Sequence, residues 1–479
     1  MEIKNKAKKS FKWSFLIQLS SQIIGFSISI LLARILLPAD FGVIGILTIF
    51  INLSKKITDG GMASSLIRTK EVNDRDFSTV FFFNMLISIF LYSILFFLAP
   101  FIAIFFEVKI VENLLKLYGL VIVISTFTIT QSVKLNRDLD FKTQFKILLP
   151  SIILSGLFGV GAAYLGYGVW SLVIKEIAFA VFASIQLWYY SNWTPLFIFD
   201  KNLFKIHFRY GYKLTLTDLI SQFFKDGNKI IISKFFSPAD LGFFTRAKTM
   251  EELPNSVVFN TVNRVMFPLL SKVQDDDIQL KKIYSQIIKV VSFIVVPFLL
   301  LLYVIAEPLF VFLITDKWLP AVPYFKILLI AAMIAPVQPY LLNICKVKGR
   351  SDLVLKLSMV EYLFIILSLF AIIPYGIIGL LWGLVLATLA KLVVTMFFAG
   401  RLINYTVKRQ LLDLKEGFSI GVFIFCIVSF AKHVGLFDLM TSFQTIISIS
   451  ILFYTLFLAL SYVLKLESFH LIKNLIIKK

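Results

Sequence analysis

Apolar runs of about 20 residues alternate with short polar connections from one end of the chain to the other. A helix of that length crosses roughly 30 Å of hydrocarbon. The pattern predicts about 14 membrane spans, over 13–37, 43–67, 77–105, 113–133, 145–166, 169–190, 210–236, 241–270, 284–314, 320–345, 353–373, 376–400, 415–435 and 441–464. No connection approaches the roughly 50 residues at which an independent domain begins. The expected fold class is therefore an all-α polytopic membrane protein.

One stretch breaks the rhythm. In "TDLISQFFKDGNKIIIS", residues 217–233, the residues Asp218, Gln222, Lys225, Asp226 and Lys229 fall through an expected span. A charge at the bilayer centre costs about 2.5–3.5 kcal/mol on insertion scales, so these side chains need a reason to be there. At helical spacing Asp218, Gln222, Lys225 and Lys229 lie within about 60° of one another, with Asp226 at the edge of that face and within reach of Gln222 and Lys229.

The same stretch belongs to an internal repeat. "LSSQIIGFSISILLARILLPADFG" from Leu19 and "LISQFFKDGNKIIISKFFSPADLG" from Leu219 share Ser-Gln, Pro-Ala-Asp and Gly in one register, about 200 residues apart. A second echo pairs "GYGVWSL" from Gly166 with "PYGIIGL" from Pro374. Six spans separate the copies, and an even number gives both the same membrane orientation. The expected organisation is a six-helix lobe over 1–200, a second over 201–412, and two further helices with a basic tail over 413–479.

The repeat carries the polar face into three more spans. Gln18, Gln22, Gly25 and Ser29 match the face on span seven. In span two, Thr48, Asn52, Lys55 and Asp59 have the same spacing; in span eight, Lys248, Glu252 and Asn255 match them, with Arg246 and Glu251 close by. Two readings stand side by side. The four faces line a water-filled cavity between the lobes, where charge avoids lipid. Alternatively Lys225–Asp226 and Lys55–Asp59 are neutral pairs locking helices together, although buried ion pairs often add little net stability. Lys175, Glu176, Glu361 and Lys391 are isolated intramembrane charges with no pattern.

Composition narrows the class. The 479 residues are 58% hydrophobic and 16% charged and include 51 Phe, an apolar excess that no water-soluble fold hides. The formal charge of +20 would point to nucleic acid in a soluble protein. Here the cations gather in alternate connections, which places both termini in the cytoplasm and gives the charge a topological explanation without nucleic acid. Cys345 and Cys426 sit in apolar segments and imply no disulfide framework; His207, His433 and His470 are too scattered for a metal site. The basic start leads into an apolar run without a clear small-residue cleavage site, which reads as a retained first span.

"LLARILLPADFGVIG", "DGGMASSLIRTKEVNDRDFSTVFFFNML", "LNRDLDF" and "GYGVWSL" together resemble bacterial oligosaccharide flippases of the Wzx type, in particular the branch serving colanic acid, capsule and teichuronic acid export. That group shares a superfamily with the lipid II flippase and the multidrug/cation antiporters. The resemblance implies a V-shaped two-lobe fold in the bacterial inner membrane. It also implies alternating access and movement of an undecaprenyl-diphosphate-linked oligosaccharide to the outer leaflet for surface polysaccharide biosynthesis. No cofactor is implied beyond Na⁺ or H⁺ as coupling ion, and the implied partners are a polysaccharide polymerase and glycosyltransferases. The lipid II flippase keeps cavity arginines, some of them in its first span; this chain has no charge in the middle of that span.

The diphosphate role falls instead to Lys55, Lys225, Lys229, Arg246 and Lys248, because ammonium and guanidinium groups in a low dielectric suit a concentrated anion. Gln18, Gln22, Asn52, Gln222 and Asn255 supply hydrogen bonds for sugar hydroxyls. Asp59, Asp218, Asp226 and Glu252 are the candidates for cation coupling. Two other classes compete: a drug antiporter, which needs a net acidic cavity for cationic drugs, and an intramembrane enzyme or scaffold, against which short loops and the lack of a nucleophile–base set both count.

Overall fold

The computed structural model describes residues 2–191, 193–334, 337–368 and 372–477, with side chains described except at 2–11, 254–265, 267, 268, 351, 368, 372–374 and 474–477. Every regular element among the described residues is helical. Two compact units divide the chain, Met1–Thr245 and Arg246–Lys479. The first holds α1 (Glu2–Ile35), α2 (Pro38–Asp59), α3 (Met62–Arg68), α4 (Asp74–Phe106), α5 (Ile110–Tyr118), α6 (Leu120–Arg137), α7 (Phe141–Tyr164), α8 (Trp170–Tyr190) and α9 (Lys201–Phe235). Helix α10 (Pro238–Lys272) runs from the first unit into the second. The second then has α11 (Asp277–Val304), α12 (Ala306–Ile314), a short 3₁₀ turn (Asp316–Trp318), α13 (Ala321–Ile334) and α14 (Gln338–Val347). It ends with α15 (Ser351–Ser368), α16 (Ile372–Arg401), α17 (Val407–His433), α18 (Ser442–Val463) and α19 (Glu467–Ile477).

Ten stretches among the described residues are long and apolar enough to cross a membrane, and they coincide with ten of the expected spans. The remaining four, 210–236, 241–270, 353–373 and 415–435, fall on α9, α10, α15 and α17 without joining that set, with 369–371 outside the described residues. For 210–236 the reason is the run of charges on α9. Expected span 43–67 is two helices, because Gly60 and Gly61 both take left-handed backbone angles and redirect the chain from α2 into α3. Expected span 113–133 divides into α5 and α6 at Gly119, where the Tyr92 ring leaves no room for a side chain.

Packing follows small residues. Ile28 and Leu32 of α1, and Leu36 just beyond it, bury against Ala163 and Leu172, with Gly156 of α7 directly under Ile28. In the second unit Gly417 and Gly421 let α17 lie close on Ser292, Pro297 and Leu300 of α11. Close backbone approach of this kind is what holds helices together where lipid is as apolar as the side chains.

The repeat leaves physical marks. Pro38 and Pro238 open α2 and α10, and the third residue of each motif closes its own turn: Leu37 N–H donates to Asp40 Oδ2 at 2.9 Å and Ser237 N–H to Asp240 Oδ2 at 3.2 Å. The two turns touch reciprocally. A side chain on Gly42 would run into the Pro238 carbonyl, and one on Gly242 into the Pro38 carbonyl. Gly168 and Gly376, matched in the second echo, both have positive φ (53° and 57°). So do Glu107 and Thr315, non-glycine residues at the same separation, which end α4 and α12.

Candidate functional site

In the first unit, α9 lies against α2 and α3, antiparallel to α2. Backbone meets backbone where Gly61 and Gly211 touch; neither position has space for a Cβ. Lys56 of α2 pairs with Asp218 of α9 at 3.5 Å, both side chains about half exposed. Two turns on, Asp226 is buried and accepts from Gln222 Nε2 at 2.6 Å and Lys229 Nζ at 2.8 Å. The expected edge position of Asp226 is thus a three-residue local network.

The two lysines named as lock partners are not paired as the packing reading supposes. Lys225 is exposed and makes no hydrogen bond or salt bridge among the described residues. Lys55 is half-buried and within electrostatic reach of Glu176 on α8, whose carboxylate binds Lys175 at 2.8 Å. Asp59 lies beside the Gly61 and Ala63 backbone with Lys56 and Asp218 nearby. Glu176 and Lys175 are therefore not isolated charges. Nor are Glu361 and Lys391, which form an ion pair between α15 and α16. Gln18 and Gln22 on α1 and Asn52 on α2 are half-buried.

In the second unit Lys248 binds Glu251 at 2.7 Å and approaches Glu252 at 3.8 Å. Arg246 is 3% exposed, its guanidinium 5.2 Å from the centre of the Trp318 ring. That cation–π contact gives a buried charge an aromatic face to rest on. The Asn255 side chain lies outside the described residues.

A further cluster closes one end of the first unit, and no sequence spacing pointed to it. His207 of α9 bonds through Nδ1 to Ser65 Oγ at 2.9 Å and through Nε2 to Asp76 Oδ1 at 3.0 Å, all three buried. Asp76 also takes the Asn73 N–H at 3.0 Å, which caps α4. Arg137 reaches across from α6 to the carbonyls that end α3, among them those of Leu66 and Thr69. The residue types are those of a hydrolase triad, yet Ser65 at 4% exposure has no route to a substrate; here they clamp α3, α4 and α9 together. At the other end, Lys234 Nζ bonds the Phe105 carbonyl and Glu107, each at 2.9 Å, and so ties α9 to the end of α4.

The chain's relatives carry the next step. The profile of the family described as "Polysaccharide biosynthesis protein" matches residues 30–323. The chain is 24% identical over 405 residues to a membrane protein of the cps region of Klebsiella pneumoniae, covering 83% of each. It is 24% identical over 359 residues to the teichuronic acid biosynthesis protein TuaB of Bacillus subtilis, covering 74% of this chain and 73% of that one. Among solved structures it shares its fold with the lipid II flippase MurJ in an inward closed conformation, at a TM-score of 0.76 and 16% identity, over 94% of this chain and 98% of the other.

Proposed function

This chain belongs to the polysaccharide biosynthesis protein family, and from that premise we propose that it is a flippase for lipid-linked oligosaccharide. The cargo is an undecaprenyl-diphosphate-linked repeat unit, moved from the cytoplasmic to the outer leaflet of the inner membrane for surface polysaccharide synthesis. Fourteen spans form two like-oriented six-helix lobes and a terminal pair, with both termini cytoplasmic. The reciprocal Gly42/Pro238 and Gly242/Pro38 contacts support a two-fold between the halves. A V-shaped opening between lobes is the geometry through which a lipid tail stays in the bilayer while its head group crosses.

One observation carries the choice of cargo. Asp218, Asp226, Glu251 and Glu252 each have a lysine within 4 Å, whereas Lys225 has no carboxylate partner among the described residues. Lys55 likewise makes no salt bridge among them. Those four acids are answered from inside; cationic charge is left for an anion from outside. A diphosphate is such an anion. Lys55, Lys225, Lys229, Arg246 and Lys248 hold it in this reading, and Gln18, Gln22, Asn52, Gln222 and Asn255 meet the sugar. A drug antiporter of the same superfamily, with cations at Asp59, Asp218, Asp226 and Glu252, is the second reading; the lysines already at Asp218, Asp226 and Glu252 count against it.

The test is export. Strains carrying Lys225→Ala with Lys229→Ala are expected to lose most surface polysaccharide and to accumulate the lipid-linked precursor. Normal export with both lysines gone ends their role. Coupling to Na⁺ or H⁺ has its own measurement: transport into vesicles should fall when the relevant gradient is collapsed. Association with a polymerase and glycosyltransferases is part of the same proposal, to be read by co-purification.

A further inference from the structure

In the second unit, the start of α11 and the turn from α16 into α17 enclose a cavity of about 510 Å³, away from every residue named for transport. Its walls include Asp277, Lys281, Lys282, Tyr405, Arg409 and Asp413. Both carboxylates are already engaged by cations that do not line it. Asp277 pairs with Lys348 at 2.6 Å; Asp413 pairs with Lys289 at 3.6 Å and also takes the Ser285 and Tyr405 hydroxyls. Lys281 donates to the Asn404 carbonyl at 3.0 Å, with its ammonium 5.3 Å from the Tyr405 ring centre. Lys282 and Arg409 are exposed and make no hydrogen bond or salt bridge among the described residues. Three cations therefore face the cavity with no carboxylate assigned to them.

The frame that presents them is built. Buried Gln410 donates to the Met396 carbonyl at 3.0 Å and the Tyr405 carbonyl at 2.9 Å, holding the turn in place. Gly400 packs against that same turn with no space for a Cβ. Ile278 and Leu412 stand exposed along the cavity's flank, at 84% and 57%. Cations without carboxylate partners beside an exposed apolar rim suit a phosphate at a membrane surface.

We propose that this cavity binds a phosphate group, supplied by an anionic lipid headgroup or by a soluble phosphate compound. The recognition is charge-assisted hydrogen bonding from Lys281, Lys282 and Arg409 to the phosphate oxygens. It uses no transport residue and stands independently of the cargo.

The experiment uses the full chain purified in mild detergent, with melting followed by intrinsic fluorescence. Phosphatidylglycerol, phosphatidylcholine and inorganic diphosphate are titrated separately. Phosphatidylglycerol or diphosphate is expected to raise the melting temperature, and phosphatidylcholine to leave it unchanged. The variant Lys282→Ala with Arg409→Ala should melt as the parent does without additive, since both side chains are exposed and unbonded, and should bind about tenfold more weakly. High salt should weaken the parent's response. A shift with lipid alone assigns the headgroup; a shift with diphosphate alone assigns a soluble phosphate. Equal shifts in parent and variant, or none with either phosphate source, overturn the site.

Discussion

At the residue scale, Asp226 shows how a charge survives among apolar helices. It is buried, but two donors on its own helix answer both oxygens, one of them a lysine still about a quarter exposed. Breaking a buried pair from one side costs about 3–5 kcal/mol, and the exposure of Lys229 brings the expectation down to about 1–2 kcal/mol. Asp226→Ala should therefore lower the melting temperature of the purified protein, and adding Lys229→Ala should recover part of the loss; simple additivity would mean the two do not interact. Glu107 offers a pH test outside the spans. Hydrogen bonding and attraction from Lys234 hold its carboxyl below the usual carboxylate range. Its contribution is present above the unfolded value, near 4.3, and is lost as pH falls through the lower folded one. Glu107→Gln should thus remove a small stabilisation seen at neutral pH and leave behaviour in strong acid unchanged, as melting against pH will read. Local spacing made the Gln222–Asp226–Lys229 group legible in advance. It could not show Lys56–Asp218 or Ser65–His207–Asp76, whose members lie far apart in the chain and meet only through packing.

At the element scale, the paired Pro-Ala-Asp turns are the informative feature. The repeat was readable because proline at a helix start and an aspartate closing it are required by local backbone chemistry, whatever the surroundings. Their mutual contact was not readable, since glycine reports only that space is scarce. Gly42→Ala and Gly242→Ala should each destabilise the purified protein by about 1–3 kcal/mol, because each places a methyl on a carbonyl that belongs to a helix end. The double variant should cost less than the sum, as one outward movement relieves both clashes; additive melting shifts would argue that the contacts are independent. The same limit explains the broken spans. Apolar length marked 43–67 as one helix, while the Gly60–Gly61 pair that splits it is a matter of backbone freedom.

At the scale of the whole molecule, hydropathy found the ten helices that stand on composition alone. It also proposed four that composition cannot vouch for, among them α9, where the polar residues of most interest reside. Charge alternation adds an orientation to be measured. In a background without Cys345 and Cys426, Lys70→Cys should react with an impermeant thiol reagent only from the cytoplasmic face and Glu107→Cys only from the outer one. The swapped pattern would reverse the topology proposed for the first unit, and reaction of both from one side would mean that α4 does not cross. The helical class was legible because lipid allows so few alternatives to a helix; the cation-lined cavity at Lys281 was not, because its walls come from two distant turns.

Where Gly42 leans on Pro238 and Gly242 on Pro38, two matching turns of the first unit share one seam. A substitution in either turn is at once a burden on the other, so positions far apart in the chain answer to a single constraint.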